Sequence, residues 1–218
     1  MRILRQEQDN NLISVKTYDC FAHVYEQWFM DISPYKTCVD EFCNLFLSNK
    51  AKVLDIGCGP GNYSKYLSEF KGFRNIHGID LSEQMIARAQ KNVPSGEFKI
   101  GDIRKMNYPP MSFHGILASF CIPYLSYHET DKLISDTFKI LKPSGLMYIS
   151  CMEGVYCGFE RTSFSGEMAV YIYYYTEEFL VESLEERGFH ILNVGRQPYL
   201  GVDGSVSTDL IIIAQKPR

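Results

Sequence analysis

Residues 53–64 read VLDIGCGPGNYS, a short apolar run that leads into three glycines spaced two apart. The apolar run predicts a buried β-strand. The glycines predict a turn whose backbone can approach a ligand closely. A helix is expected to begin at Asn62, with the free N–H groups of its first turn facing that loop. This stretch therefore predicts a strand–loop–helix unit of an α/β fold, with a ligand site at the loop.

Further β-type runs follow at regular intervals, with helical patterns between them. The runs cover residues 52–56, 75–80, 97–100, 113–119 and 146–152. Strands that alternate with helices in this way predict a parallel sheet with helices on both faces. Near the end of the chain, runs at 189–196 and 209–215 succeed one another without a helix. That pair predicts one antiparallel strand.

Three acids stand at the ends of the first three strands: Asp55, Asp80 and Asp102. Ligands of open parallel sheets bind at the carboxyl ends of the strands. A dinucleotide site has Gly-x-Gly-x-x-Gly and holds an anionic pyrophosphate, whereas the spacing here is Gly-x-Gly-x-Gly and Asp55 would repel that anion. Asp80 can accept hydrogen bonds from ribose hydroxyls. The three acids therefore favour a cationic adenosyl amino acid, and a nucleotide-dependent oxidoreductase is the alternative.

These motifs, taken in series, resemble those of class I S-adenosylmethionine-dependent methyltransferases of the small-molecule type. The segments that carry the resemblance are 53–61, IHGIDLSEQMI at 76–86, FKIGDIRKM at 98–106, FHGILASFCIPYL at 113–125 and LKPSGLMYIS at 141–150. The resemblance covers about residues 50–215. It implies a doubly wound, Rossmann-like sheet of seven strands in the order 3-2-1-4-5-7-6, with one antiparallel strand.

The resemblance also implies the cofactor, S-adenosylmethionine, and the residues around it. Backbone near Gly57 and near Ser119 would hold the methionine part, Asp80 the ribose, and Asp102 the adenine. Asp55 has two interpretations, contact with the cofactor or capping of the loop's own N–H groups. The implied cofactor-binding residues are Tyr18, Tyr25, Asp55, Gly57, Cys58, Gly59, Gly61, Asp80, Leu81, Met85, Asp102, Ile103, Ser119 and Phe120.

The expected reaction is methyl transfer to a small-molecule acceptor by in-line displacement at the sulfonium methyl. A general base is needed only for an acceptor that arrives protonated with a high pKa. His23 and His128 are the histidines that could approach the pocket, and Tyr25 is expected near the methyl group by resemblance. These three residues are the candidates for a catalytic role, and the sequence does not decide among them. A non-catalytic subunit that binds S-adenosylmethionine is a further alternative.

The chain is expected to form one domain over 1–218, with two segments that cover the pocket. The first is an N-terminal helical lid at 1–34, where Tyr18, Ala22, Tyr25 and Phe29 form an aromatic stripe that must be covered. The alternative is that this stripe belongs permanently to the core. The second segment is a cap at 153–175, whose tyrosine run either lines the pocket or forms an edge strand.

Composition limits the partners. The formal charge of −4 gives no indication of a strongly basic surface for nucleic acid. No apolar run reaches the length of a membrane span, and the first residues lack the apolar core of a signal peptide. The seven cysteines form no Cys-x-x-Cys pair or zinc-type cluster. We therefore expect a cytoplasmic enzyme without a metal, acting on a small molecule, and the sequence leaves its oligomeric state open.

Overall fold

A computed structural model describes residues 9–200, 204 and 206–218, in which strands alternate with helices up to residue 152. The α-helices are α1 (Asn10–Phe29), α2 (Lys36–Asn44), α3 (Asn62–Lys71), α4 (Glu83–Asn92), α5 (Tyr127–Ile140) and α6 (Glu177–Glu186). Short 3-10 turns lie at Ser33–Tyr35, Ile103–Lys105 and Ile122–Tyr124. The strands are β1 (Lys52–Ile56), β2 (Asn75–Asp80), β3 (Glu97–Ile100), β4 (Phe113–Ser119), β5 (Leu141–Met152), β6 (Cys157–Arg161), β7 (Ala169–Tyr173), β8 (His190–Leu200) and β9 (Val206–Gln215).

Seven of these strands form one sheet in the order β3-β2-β1-β4-β5-β9-β8. The first five are parallel, and β9 runs antiparallel to both of its neighbours. Within the described residues, strands β6 and β7 pair only with each other, as a separate antiparallel hairpin that we call the cap hairpin. Without this hairpin the order is 3-2-1-4-5-7-6, so the predicted topology is confirmed.

Both faces of the sheet are buried under helices. Ile116 and Leu117 are adjacent on β4, and they belong to two different hydrophobic clusters because successive side chains of a strand point to opposite faces. Ile116 shares its cluster with Ile134 of α5, whereas Leu117 shares the other with Leu67 of α3. This two-sided burial explains why the strand sequences are continuous apolar runs rather than alternating ones.

Helix α1 lies against the cap hairpin on one side and α4 on the other. The Thr17 hydroxyl donates to the carbonyl of Ala169 at 2.8 Å. On the other side, the Ser82 hydroxyl at the N-terminus of α4 donates to Asp19 at 2.6 Å. Of the predicted lid segment 1–34, residues 1–8 lie outside the described residues. None of the described helices combines the length and the apolar character that crossing a membrane requires.

Candidate active site

A cavity of about 760 Å³ opens at the edge of the sheet where the parallel strands end. This volume falls within the range of small-molecule pockets, roughly 300–1,000 Å³. Its walls come from the ends of β1, β2 and β4 and the segments after them, from α1, and from residues that follow β6. The cavity therefore lies at the position that the fold favours for a ligand.

The glycine loop forms the floor of the cavity. Gly57, Gly59 and Gly61 all have positive φ, between 52° and 83°, a conformation that glycine adopts without steric cost. A Cβ atom on Gly57 would lie 2.4 Å from the Cβ of Cys121, so no side chain fits there. Gly57, Cys58 and Gly59 line the cavity. Gly61 does not, because it begins α3 and packs against α4.

Asp80, at the end of β2, joins the loop to the cavity. Its carboxylate accepts hydrogen bonds from the backbone N–H groups of Gly59 and Ser82, both at 2.9 Å. A carboxylate offers about four acceptor positions, so these two bonds leave capacity for a ligand. Burial raises the pKa of Asp80 above its ordinary value. Leu81 and Met85 follow it in the cavity wall.

Asp102 and Ile103 also line the cavity, but the Asp102 carboxylate already has a partner. It accepts from the backbone N–H of Arg104 and from that residue's guanidinium, at 2.9–3.1 Å. Burial opposes ionisation of Asp102, and the hydrogen bonds from Arg104 more than offset it, so its pKa is lowered. Contact between Asp102 and adenine stays a prediction, and it would have to share this carboxylate with Arg104.

Asp55 does not reach the cavity wall. Its buried carboxyl group accepts a hydrogen bond from the Ser64 hydroxyl on α3 at 2.7 Å. Burial raises the pKa of Asp55 to about 7. The acid of the first motif therefore connects β1 to the helix after the glycine loop, and its predicted contact with the cofactor stays a prediction.

At the end of β4, Ser119 and Phe120 line the cavity, as the motif implies. The Ser119 hydroxyl is buried, and no group in the described part of the chain hydrogen-bonds to it. Phe120 has a φ of 52°, which is unusual for a bulky side chain, and strained residues of this kind cluster at functional sites. An unpaired buried hydroxyl beside a glycine cradle and an acid is a set of features that fits a polar ligand such as the methionine part of the cofactor.

Aromatic side chains form the opposite wall. Tyr18 and Tyr25 of α1 lie with their ring centres 5.5 Å apart, and Phe164 packs within 5.1 Å of both. The hydroxyls of Tyr18 and Tyr124 hydrogen-bond to each other. Burial raises the pKa of all three tyrosines, that of Tyr124 to about 12. These tyrosines are therefore neutral near pH 7.

The three candidate bases have different positions. Tyr25 lines the cavity, whereas His23 and His128 are exposed and do not. The sequence did not single out three other cavity residues: Tyr124, Phe164 and Asp209. Nor did it predict the charge of the cavity. Among the described residues, five acids and one arginine line it: Asp31, Asp80, Asp102, Glu160, Asp209 and Arg161.

The chain is similar in sequence to known methyltransferases. A family model described as a methyltransferase domain matches residues 53–145. The chain is 31% identical over 167 residues to phosphoethanolamine N-methyltransferase of Plasmodium falciparum, covering 75% of this chain and 61% of that protein. It is 33% identical over 105 residues to trans-aconitate 2-methyltransferase of Delftia acidovorans, covering 47% and 38%. The chain thus spans less than two thirds of the length of either relative.

A solved structure of an S-adenosylmethionine-dependent methyltransferase from Methanosarcina mazei has the same fold. Its TM-score is 0.70 at 22% identity, and the match covers 81% of this chain and 97% of that one. The sheet order and the motif series are those of the class I S-adenosylmethionine-dependent methyltransferases, and residues 53–145 match the methyltransferase domain. The matches to methyltransferases confirm the family predicted from the motifs, and S-adenosylmethionine is the cofactor of that family.

Proposed function

We propose that this chain binds S-adenosylmethionine in the cavity and transfers its methyl group to a small-molecule acceptor. The observation that carries the proposal is the bond between Asp80 and the N–H of Gly59, which holds the carboxylate at the cavity wall beside the glycine loop. Two sets of polar groups lie at this part of the cavity: the backbone of the glycine loop and the acids at the strand ends. Together they can bind hydroxyl and amino groups. This arrangement supports a ligand that has both a ribose and a cationic amino acid part.

In this proposal each part of the wall has a separate task. Asp80 accepts from the ribose hydroxyls, and Asp102 with Ile103 borders the adenine. The backbone of Gly57–Gly59 and the Ser119 hydroxyl bind the methionine part. Tyr18 and Tyr25 border the methyl group. Support comes from the fact that all these groups line the same cavity.

When bound, the cofactor supplies an electrophilic methyl group on a sulfonium sulfur. The side chains then have to orient the acceptor and exclude water, and orientation alone can contribute about 7–11 kcal/mol in favourable systems. The aromatic wall serves both purposes because its rings are rigid and apolar. Since the tyrosine hydroxyls are neutral near pH 7, positioning rather than proton abstraction by tyrosine is the proposed source of rate.

The cover of the cavity belongs to the same proposal. We propose that the described part of the predicted lid, residues 9–34 with α1, acts as a lid, and that residues 153–175 act as a fixed cap. The hydrogen bonds between α1 and the cap hairpin support a closed arrangement. The acidic cavity supports a small-molecule acceptor rather than a nucleic acid. The seven free thiols support a cytoplasmic location.

The decisive experiment has two readouts. Calorimetric titration with S-adenosylhomocysteine should give one site per chain. Incubation with S-adenosylmethionine and a mixture of small metabolites should then release S-adenosylhomocysteine and yield a product heavier by one methylene group in mass spectrometry. Tight binding without any turnover would favour the non-catalytic subunit. Binding of NAD without binding of either adenosyl ligand would overturn the proposal.

A further inference from the structure

Asp209 lies at the same edge of the sheet as the cofactor acids, but at the far end of the cavity. It is near the amino end of β9 and is paired with Met152 at the end of β5. Because β9 is antiparallel, its amino end lies at the edge where the parallel strands have their carboxyl ends. Four strand spacings separate β2 from β9, about 19 Å at the usual spacing. Asp209 is thus too far along the cavity to share the ribose with Asp80.

The Asp209 carboxylate is held in place by a tyrosine. Only 3% of the residue is exposed, and it still lines the cavity. The Tyr35 hydroxyl donates to it at 2.6 Å, the one side-chain hydrogen bond to Asp209 within the described residues. Burial raises the pKa of Asp209 to about 6, so the group is mostly ionised at neutral pH.

No described cation neutralises this charge. The titratable groups that interact with Asp209 from the neighbouring elements are Tyr35, Tyr148, Cys151 and Tyr174, and burial raises the pKa of each. All four are therefore neutral near pH 7. Among the described residues that line the cavity, Arg161 alone is basic, and it is largely exposed and paired with Glu167. A buried carboxylate without a counter-ion is costly unless a ligand supplies one.

A second observation points to a ligand in the same region. Tyr63 lines the cavity with only 4% of its surface exposed, and its hydroxyl has no hydrogen-bond partner among the described groups. Its ring centre lies 6.3 Å from that of Tyr148, one of the tyrosines around Asp209. An orphaned hydroxyl and an uncompensated carboxylate in the same cavity indicate a polar ligand that satisfies both.

We propose that Asp209 determines acceptor specificity and that the acceptor is a small molecule with an ammonium group. This inference rests on the proposed function, since it names the substrate class of that cavity. The Asp209 carboxylate, held by Tyr35, accepts hydrogen bonds from the N–H groups of the ammonium. The faces of Tyr35 and the neighbouring aromatic rings favour the same charge by cation–π attraction. A phosphate or carboxylate acceptor would instead meet an acidic wall that has one peripheral arginine.

The test compares three probes of similar shape in the presence of saturating S-adenosylhomocysteine: benzylamine, benzyl alcohol and benzoate. Calorimetry on the wild-type protein should show benzylamine binding about tenfold or more tighter than benzyl alcohol, because a hydrogen bond to a charged group is worth about that factor. Benzoate should bind weakest. If benzylamine fails to bind, or binds no better than the other two, the proposal is wrong.

Asp209→Asn keeps the shape of the side chain and an acceptor for Tyr35 but removes the charge. It should abolish the preference for benzylamine while the affinity for S-adenosylhomocysteine stays unchanged. Asp136→Asn is the matched control, because Asp136 pairs with Lys132 and Lys139 outside the cavity wall. It should keep the preference. Retention of the preference in Asp209→Asn would overturn the proposal.

The pH dependence of benzylamine binding tests the proposal on the wild-type protein alone. Benzylamine stays protonated at both pH 5 and pH 8, so a loss of its binding at pH 5 reports protonation of a cavity carboxyl group. We expect the preference to fall about fivefold or more at pH 5 in the wild type, because the Asp209 carboxylate is then mostly protonated. An unchanged preference would contradict the proposal. If S-adenosylhomocysteine itself fails to bind, that result refutes the proposed function, and it can be told apart from a failure of benzylamine to bind.

Discussion

The backbone N–H of Gly59 donates to the carboxylate of Asp80 across 2.9 Å, so the glycine loop and the neighbouring strand end form one unit. Gly59 has a φ of 52°, and in this conformation its N–H points toward the end of β2. A ligand that binds Asp80 therefore also fixes the loop. For this reason a change at Asp80 should affect the cofactor site more than the loss of a single contact would.

Replacement of Asp80 by alanine should weaken S-adenosylhomocysteine binding by on the order of 100-fold or more. Two hydrogen bonds to a charged group contribute roughly 1.5–3 kcal/mol each, and they are not strictly additive. Isothermal titration calorimetry gives the dissociation constants. Circular dichroism in the far and near ultraviolet should confirm that the variant is folded.

Asp80→Asn is the informative companion to that variant. It keeps one acceptor for Gly59 but loses the charge, so its affinity should fall between the wild type and Asp80→Ala. A folded Asp80→Ala protein with wild-type affinity would mean that the ribose binds elsewhere.

The protein should distinguish adenosyl amino acids from dinucleotides. At a ligand concentration 100 times the dissociation constant, binding stabilises the native state by about 2.7 kcal/mol. For a chain of this size we expect a rise in melting temperature of about 5–10 °C with S-adenosylmethionine or S-adenosylhomocysteine. NAD and NADP should leave it unchanged. A larger rise in melting temperature with NAD would favour the nucleotide-dependent oxidoreductase over the methyltransferase.

Much of the fold could be predicted because each unit is local. Strands β1 to β4 begin and end at the predicted residues, since short buried runs bounded by glycine and polar turns leave little choice. The three acids follow from the rule that ligands bind at the carboxyl ends of parallel strands. Two of them, Asp80 and Asp102, line the cavity. Asp55 has the expected position in the chain, and the sequence did not predict its hydrogen bond with Ser64 of α3, because such a contact depends on which helix packs on the strand.

The acceptor end of the cavity could not be predicted in the same way. Asp209 reaches the ligand edge at the amino end of an antiparallel strand, which the rule for parallel strands does not cover. Its partner Tyr35 is 174 positions away in the sequence. Phe164 comes from an irregular segment without periodicity. These contacts depend on how distant segments fold over the edge, and no local pattern encodes that.

The stability of the ligand-free protein should depend on Asp55. Burial raises the pKa of Asp55 to about 7 in the folded state, whereas the ordinary pKa of the group is 3.8. A raised pKa means that its contribution to stability is fully present below about pH 4 and is lost as the pH rises through 7. The shift corresponds to at most about 4 kcal/mol. Urea unfolding at pH values from 5 to 8 measures this dependence.

Asp55→Asn should flatten that pH dependence. Asparagine still offers an oxygen to the Ser64 hydroxyl but does not ionise, so the variant should gain stability relative to the wild type as the pH rises. The difference between the two proteins, rather than either curve, isolates Asp55 from the other acids. A constant difference across the range, within about 1 kcal/mol, would show that Asp55 titrates normally.

Helix α1 should open and close over the cavity. It is held to α4 by Glu26, whose carboxylate accepts from Arg88 and from Asn92, and it supplies Tyr18 and Tyr25 to the cavity wall. A ligand that contacts those tyrosines adds to the attachment of the helix and should suppress its opening. Hydrogen exchange across residues 10–29 should therefore slow when S-adenosylhomocysteine is added.

A matched pair of variants separates this lid from a permanent core helix. Glu26→Gln removes the ion pair with Arg88, whereas Glu69→Gln changes an exposed residue of α3 that takes no part in the cover. The first should speed exchange of α1 in the ligand-free protein by several-fold, and ligand should restore much of the protection. The second should change nothing. Because a core helix exchanges only through global unfolding, it would be slow with or without ligand and would speed up in step with the sheet strands in Glu26→Gln. That pattern would exclude a lid and leave the cofactor site as described.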